Sequence, residues 1–226
     1  MIGCAFATFL LMIFRNRNHA GSLLAERIAR KIDRLDCVYF LPRGGVEIAV
    51  PVALRFQCPI CPVFVAKLRH PFQPELAIGA VDINGDVHVS ETRDLALPSD
   101  AFDDSVRRAR NSIEQLKQVY GSFVLDMEKG GASLLLVDDG LATGESARTA
   151  LHYLRSFHPE LLAFGVPCAS DTGYQLIQTE CDEVITVTSP DPDFSSVGDY
   201  YEDFSQVEHA TVIALLERIN LKPAAA

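Results

Sequence analysis

The sequence predicts an α/β fold, an open and mainly parallel sheet with helices on both faces. Three observations point to it. Short apolar runs alternate along the chain with longer segments whose apolar residues recur at helical spacing. Runs such as 134–137 are apolar at every position, as strands covered on both faces require. Two runs, 37–41 and 134–137, stop abruptly at glycine-containing polar segments, which is how strands of open sheets end where a ligand sits.

Residues 19–33 place Ala20, Leu23, Leu24, Ile28 and Ile32 at helical spacing. The run 37–41 follows and ends at Pro42-Arg43-Gly44-Gly45. Residues 46–56 read as a helix that tolerates Pro51 as a first-turn residue. The next strand is 61–66. Residues 67–76, KLRHPFQPEL, carry two prolines and mixed polarity and are assigned to a loop. Asn84-Gly85, between 77–81 and 87–89, marks a hairpin. Residues 100–120 form a long charged helix with Val106, Ile113, Leu116 and Tyr120 along one side. A strand at 134–137, a helix at 145–157, a strand at 161–166, a helix near 172–178 and a strand at 183–187 continue the alternation. A Pro/Asp/Ser-rich stretch, 189–197, precedes a terminal helix from about Glu208. The reading is one domain over residues 14–220 with a hairpin insertion and a small C-terminal appendage, 189–207.

A hydrophobic content of 48% suffices for a sizeable core. A net charge of −10 argues against a nucleic-acid partner, which calls for a basic stripe. Cys58 and Cys61 form a single Cys-x-x-Cys, and no second close pair completes a zinc site, so they are read as a turn into a strand. The apolar stretch 1–14 is shorter than the ~20 residues of a membrane span and has no basic residues before it. The expectation is that translation starts at Met12, that residues 1–13 are an extension outside the fold, and that the protein is cytoplasmic, without membrane contact.

The segment 134–146, LLLVDDGLATGES, concentrates the chemistry. Asp138 and Asp139 can accept hydrogen bonds from a vicinal diol, or hold one through water and Mg²⁺. Gly140, Ala142, Thr143, Gly144 and Ser146 are small enough for backbone N–H groups to approach an anion, and Thr143 and Ser146 add hydroxyls. The helix that follows favours a phosphate at its N-terminus, where Glu145 also suits the dipole. A diol and a phosphate a sugar ring apart mean ribose 5-phosphate. The plainer alternative, capping aspartates and a tight turn, explains one Asp but not both. A P-loop is excluded because no Lys follows the second glycine, and Gly-x-Gly-x-x-Gly is absent.

DDGLATGES resembles the phosphoribosyl pyrophosphate-binding motif of type I phosphoribosyltransferases, and FLPRGGV resembles that family's pyrophosphate loop. With PELAIGAV and VGDYYEDF the resemblance runs over nearly the whole chain and points to a less-characterised subgroup. It implies that Asp138 and Asp139 bind the ribose hydroxyls and residues 142–146 the 5-phosphate. Arg43 and the amides of Gly44 and Gly45 would meet the leaving pyrophosphate. Lys67 and Arg69 would sit at a mobile loop closing over the substrate, and residues 194–204 would form the hood over the acceptor, where Phe194 could stack on a flat ring. Each has a structural alternative: a simple turn, solvated loop charges, and packing of the appendage.

The implied reaction is displacement of pyrophosphate by a nitrogen nucleophile, with Mg²⁺ carried by the substrate rather than by a protein cage. Members acting on 6-oxopurines have an acid where this chain has Ala142, so that substrate class is disfavoured. Glu75 is the candidate to supply a carboxylate instead, against a hairpin salt bridge. A non-catalytic module sensing phosphoribosyl pyrophosphate or a nucleotide, and a partner domain with a vestigial site, remain open. Family members commonly dimerise, which implies a homodimer. The acceptor base or amine is not legible.

Overall fold

A computed structural model of the chain describes residues 13–89, 98–125 and 130–220, with the side chains of 74–77 excepted. The expected start at Met12 and the extension 1–13 fall almost entirely outside the described residues. The elements in order are α1 (Arg17–Ile28), β1 (Cys37–Phe40), α2 (Gly45–Phe56), β2 (Ile60–Pro62), β3 (Ala66–His70), β4 (Gln73–Val81), β5 (Val87–Val89), α3 (Ser99–Tyr120), β6 (Ser133–Val137), α4 (Glu145–Arg155), β7 (Leu161–Val166), α5 (Asp171–Gln178), β8 (Glu183–Thr186) and α6 (His209–Asn220). Five strands make a parallel sheet in the order β2-β1-β6-β7-β8.

The continuous apolar runs are explained by two cores. Side chains alternate across a strand, so Val38, Phe40, Leu135 and Val137 enter a cluster with α1 and α2. Cys37, Tyr39, Leu134, Leu136 and Phe164 enter the opposite cluster with Ala147, Ala150, Leu151 and Leu154 of α4. Both faces are therefore buried, and no position in these strands can be polar without cost. Cys58 and Cys61 are free and buried, Cys61 within β2. Among the described residues no helix is long and apolar enough to cross a membrane.

The structure corrects three local readings, the first being the strand expected at 61–66, which is only Ile60–Pro62, with Ala66 already in β3 of the other sheet. Residues 67–76 are not a loop: Ala66–His70 and Gln73–Val81 pair antiparallel, and β5 completes a three-stranded ribbon. The alternation buried Ala66, exposed Lys67, buried Leu68, exposed Arg69 is a strand pattern. The prolines are accommodated because Pro71 lies in the turn and the register jumps from Arg69↔Ala77 to His70↔Gln73, leaving Pro74 in the irregularity. Pro51, moreover, stands inside α2 rather than in its first turn. Its ring meets α1 where Gly21 lets the helices close: a Cβ on Gly21 would lie 3.2 Å from Pro51 Cγ and 2.9 Å from the Ile48 carbonyl.

The expected hairpin at Asn84-Gly85 is present, its turn held by Asp82 Oδ1, which accepts from Asn84 N and Asp86 N. The C-terminal appendage includes a short helical turn, Val197–Tyr200, and is stitched to the start of the fold. Phe14 N donates to Tyr200 O, and Glu202 N to Phe14 O.

Candidate active site

β1 is followed by a connection to β2 on one side, and β6 by a connection to β7 on the other. The loops leaving β1 and β6 therefore diverge, and the crevice between them is the switch point where open α/β sheets hold ligands. The two segments singled out from the sequence, 42–45 and 138–146, meet there. A Cβ on Gly45 would lie 3.3 Å from Asp138 Oδ1, and one on Gly44 would collide with Asp139 Oδ2. The close approach needs glycine at 44 for space, not for backbone freedom, since its φ is −58°.

Asp138 and Asp139 are half-buried at the end of β6. Asp138 Oδ1 accepts from Asp139 N at 2.9 Å. Burial first, then repulsion from Asp139, pushes the Asp138 carboxyl well above the usual carboxylate range, while Asp139 N–H, Arg17 and Lys67 pull it back. Asp139 is also raised by burial, and is opposed chiefly by Arg17, whose Nε donates to Asp139 Oδ2 at 2.7 Å. Arg17 was not legible as a site residue. Nothing in its local sequence sets it apart from a solvated arginine in the first turn of a helix, yet it is only 6% exposed.

Past the aspartates the chain is fastened to the loop after β7. Leu141 N donates to Cys168 O, Ser170 N to Leu141 O, and Ser170 Oγ to Ala142 O at 2.5 Å. A Cβ on Gly140 would fall 2.5 Å from Val197 Cγ1, so the appendage rests directly on this loop. Gly144 has φ +82°, the left-handed conformation that turns the chain into α4. Ala142 and Thr143 are exposed, Glu145 and Ser146 half-buried, all at the N-terminal end of an eleven-residue helix. That end presents unpaired N–H groups and a positive dipole to an anion.

Other candidates are placed less uniformly. Lys67 is exposed on β3, but its charge reaches Asp138. Arg69 is exposed on the same strand, next to the register shift. Glu75 belongs to β4, and its side chain lies outside the described residues. Arg43 follows a cis Pro42–Arg43 peptide. Its guanidinium faces the Gln206 side-chain amide, which has only to turn its oxygen inward to accept from it, and its charge acts on Tyr120. Phe194 is half-buried and stacked on Tyr200, with centroids 5.4 Å apart and planes 23° apart. The appendage reaches the loop after β6 instead through Tyr201, whose hydroxyl donates to Asp139 O at 2.6 Å. Among the described residues no three His, Cys, Asp or Glu side chains converge on a metal position. Two adjacent carboxylates alone do not make a cage, so a divalent cation here would need most of its oxygens from a bound ligand and water.

The fold and this crevice define a doubly wound α/β protein whose switch point offers two carboxylates and a helix N-terminus a few residues apart. A family model described as the phosphoribosyl transferase domain matches residues 16–205, and the chain belongs to that family. It is 31% identical over 212 residues to proteins of Mycobacterium tuberculosis, strains CDC 1551 and H37Rv, provisionally named phosphoribosyl transferases. The match covers 93% of this chain and 48% of theirs, so the chain spans about half the length of these curated relatives. The crystal structure of TT1426 from Thermus thermophilus superposes with a TM-score of 0.75 at 33% identity, covering 92% of this chain and 99% of that one.

Proposed function

We propose that the protein transfers phosphoribose from phosphoribosyl pyrophosphate to a nitrogen acceptor, releasing pyrophosphate in a Mg²⁺-dependent reaction. The observation that carries this reading is the meeting of the Gly44-Gly45 turn with the Asp138–Asp139 pair at the switch point, next to the N-terminus of α4. In this reading the backbone N–H groups of 142–146 take the 5-phosphate, and the Asp138–Asp139 pair takes the ribose hydroxyls. Gly44 and Gly45 face the pyrophosphate, toward which Arg43 turns by leaving Gln206. Mg²⁺ would neutralise the departing pyrophosphate. Lys67, whose charge already reaches Asp138, adds positive potential along the same side. Ala142 cannot take a proton, so the acceptor is one whose nitrogen attacks without an acid–base group at that position.

Pyrophosphate release with phosphoribosyl pyrophosphate, Mg²⁺ and a panel of purines, pyrimidines and amines tests the proposal. Release dependent on one acceptor class supports it. Tight binding of phosphoribosyl pyrophosphate with no release from any acceptor would leave a sensing module in its place.

A further inference from the structure

The buried hydroxyl of Ser170 is used twice. Its Oγ accepts from Gly173 N at 2.9 Å, capping α5, and donates to Ala142 O at 2.5 Å. A helix cap needs only the first of these bonds. The second crosses to the turn that precedes α4. Gly173 meets the same turn: a Cβ there would stand 2.3 Å from Ala142 O and 3.2 Å from Ala142 C. The φ of Gly173 is not positive, so it is space that requires glycine at this position. The first turn of α5 therefore backs directly on the Ala142 carbonyl.

Two parallel bridges hold that arrangement. Leu141 pairs with Ala169 and Ser170 with Asp191, so the loop after β7 lies between the loop after β6 and the start of the appendage. Leu141 N donates to Cys168 O, Ser170 N to Leu141 O, and Asp191 N to Ala169 O. A peptide unit is planar and trans, so its C=O and N–H point in opposite directions. With the Ala142 carbonyl fixed toward α5, the Thr143 N–H is turned away from it. Among the described residues no acceptor takes the N–H of Thr143, nor those of Gly144, Glu145 and Ser146. We propose that Ser170 and Gly173 are positioning residues: holding the Ala142 carbonyl against α5, they aim the Thr143 N–H at an anion bound by the 142–146 segment. Neither residue touches the anion, and neither lies in that segment. The inference rests on the proposed function for the anion's being a sugar phosphate, but not for the held peptide.

The test is calorimetric titration of ribose 5-phosphate, and separately of pyrophosphate with Mg²⁺, into the wild type, Ser170→Ala, Ser170→Gly, Ser170→Thr and Gly173→Ala. Glycine replaces serine at a helix N-cap at little cost, so Ser170→Gly spares α5 while removing the donor to Ala142 O. Ser170→Ala and Ser170→Gly should both weaken ribose 5-phosphate binding about tenfold, the loss of one well-aimed charge-assisted hydrogen bond. Gly173→Ala should do the same although alanine favours the helix, because its methyl displaces the Ala142 carbonyl. Ser170→Thr keeps the hydroxyl and should bind within about threefold of the wild type. Pyrophosphate binding, assigned to the 42–45 turn, should stay within about twofold throughout, as for sites that share no partners.

Wild-type affinity for ribose 5-phosphate in Ser170→Gly would leave Ser170 a helix cap and overturn the assignment. So would a failure of Ser170→Thr to recover binding, or an equal loss of both ligands in Ser170→Gly, which reports general loosening. Should Ser170→Ala or Gly173→Ala fail to fold, Ser170→Gly and Ser170→Thr decide the matter. If the wild type binds neither ligand, it is the proposed function that fails. The positioning is then read by amide NMR with inorganic phosphate. The Thr143 resonance should shift in the wild type and not in Ser170→Gly; equal shifts, or none in the wild type, refute it.

Discussion

Gly44→Ala places one methyl group between the two halves of the crevice. The backbone permits it: φ −58° and ψ −38° are ordinary right-handed values. On backbone grounds alone the change would stabilise by about 0.4–1 kcal/mol through the unfolded chain. The methyl, however, would fall on Asp139 Oδ2 and lie 3.0 Å from both Asp139 Cγ and Arg17 Nε. Neither neighbour is free to yield, because the Arg17 and Asp139 side chains are only 7% and 16% exposed. The carboxylate must rotate off the guanidinium. Removing one partner of a buried pair costs about 3–5 kcal/mol, and displacing it while a water can intervene costs about half of that. Net of the backbone gain, Gly44→Ala should lose about 1–2 kcal/mol, or about 2–8 °C in Tm for a domain of this size. Calorimetric melting measures it, with Gly121→Ala as the control. Gly121 has helical dihedrals and open space around its Cβ position, so alanine there should be neutral or stabilising. Binding of phosphoribosyl pyrophosphate should fall about tenfold or more in Gly44→Ala, as expected when a bound geometry is displaced by an ångström. A Gly44→Ala protein that melts with the wild type and binds equally well would refute the contact between the 42–45 turn and the loop after β6.

Three further outcomes follow from the same geometry. Ser170→Ala removes both the bond to Ala142 O and the cap on Gly173 N, so it should cost about 1–2 kcal/mol in urea unfolding and weaken phosphate binding by the 142–146 segment. Asp138→Asn removes a buried carboxylate whose ionisation is opposed by burial and by Asp139, so the unliganded protein should melt higher, by about 1 kcal/mol, while ligand binding is lost. A lower Tm would contradict that electrostatic account. Asp36 is held below the usual carboxylate range, chiefly by the Ser133 backbone N–H at 2.8 Å and then, against burial, by Arg34. A folded-state value below the unfolded one gives stability that is present above the unfolded value and lost as pH falls through the folded one. The stability gap between wild type and Asp36→Asn, about 1–2 kcal/mol at pH 7, should therefore close in acid, below the ordinary carboxylate range.

What could be read from the sequence is what local pattern controls. Residues 134–137 are apolar at consecutive positions because alternate side chains enter opposite cores, so a parallel, doubly covered strand was legible. The turn after Asp139 was legible for a local reason too: Gly144 takes a left-handed φ, and α4 begins at the next residue. Residues 67–76 were misread because two prolines outweighed a sound strand alternation, although neither occupies a regular ladder position. Phe194 was legible as an aromatic ring in an appendage, but not as one already stacked on Tyr200, six residues further on.

Arg17 marks where local pattern ends. Its partners Asp139 and Ser205 are 122 and 188 residues away, and only the assembled fold brings them together. The same holds for the surroundings of the two aspartates at the crevice. In sequence Asp138 and Asp139 are equivalent neighbours with the same chemistry. In the fold, successive residues at the end of a strand point to opposite sides, so one carboxylate meets the guanidinium of α1 and the other faces the space beside Gly45. Two adjacent aspartates of one motif therefore sit in different surroundings, and the arginine that tells them apart lies outside the motif altogether. It follows that a change at Arg17 should alter donor binding while leaving every residue of the motif intact. The motif by itself cannot account for such an outcome.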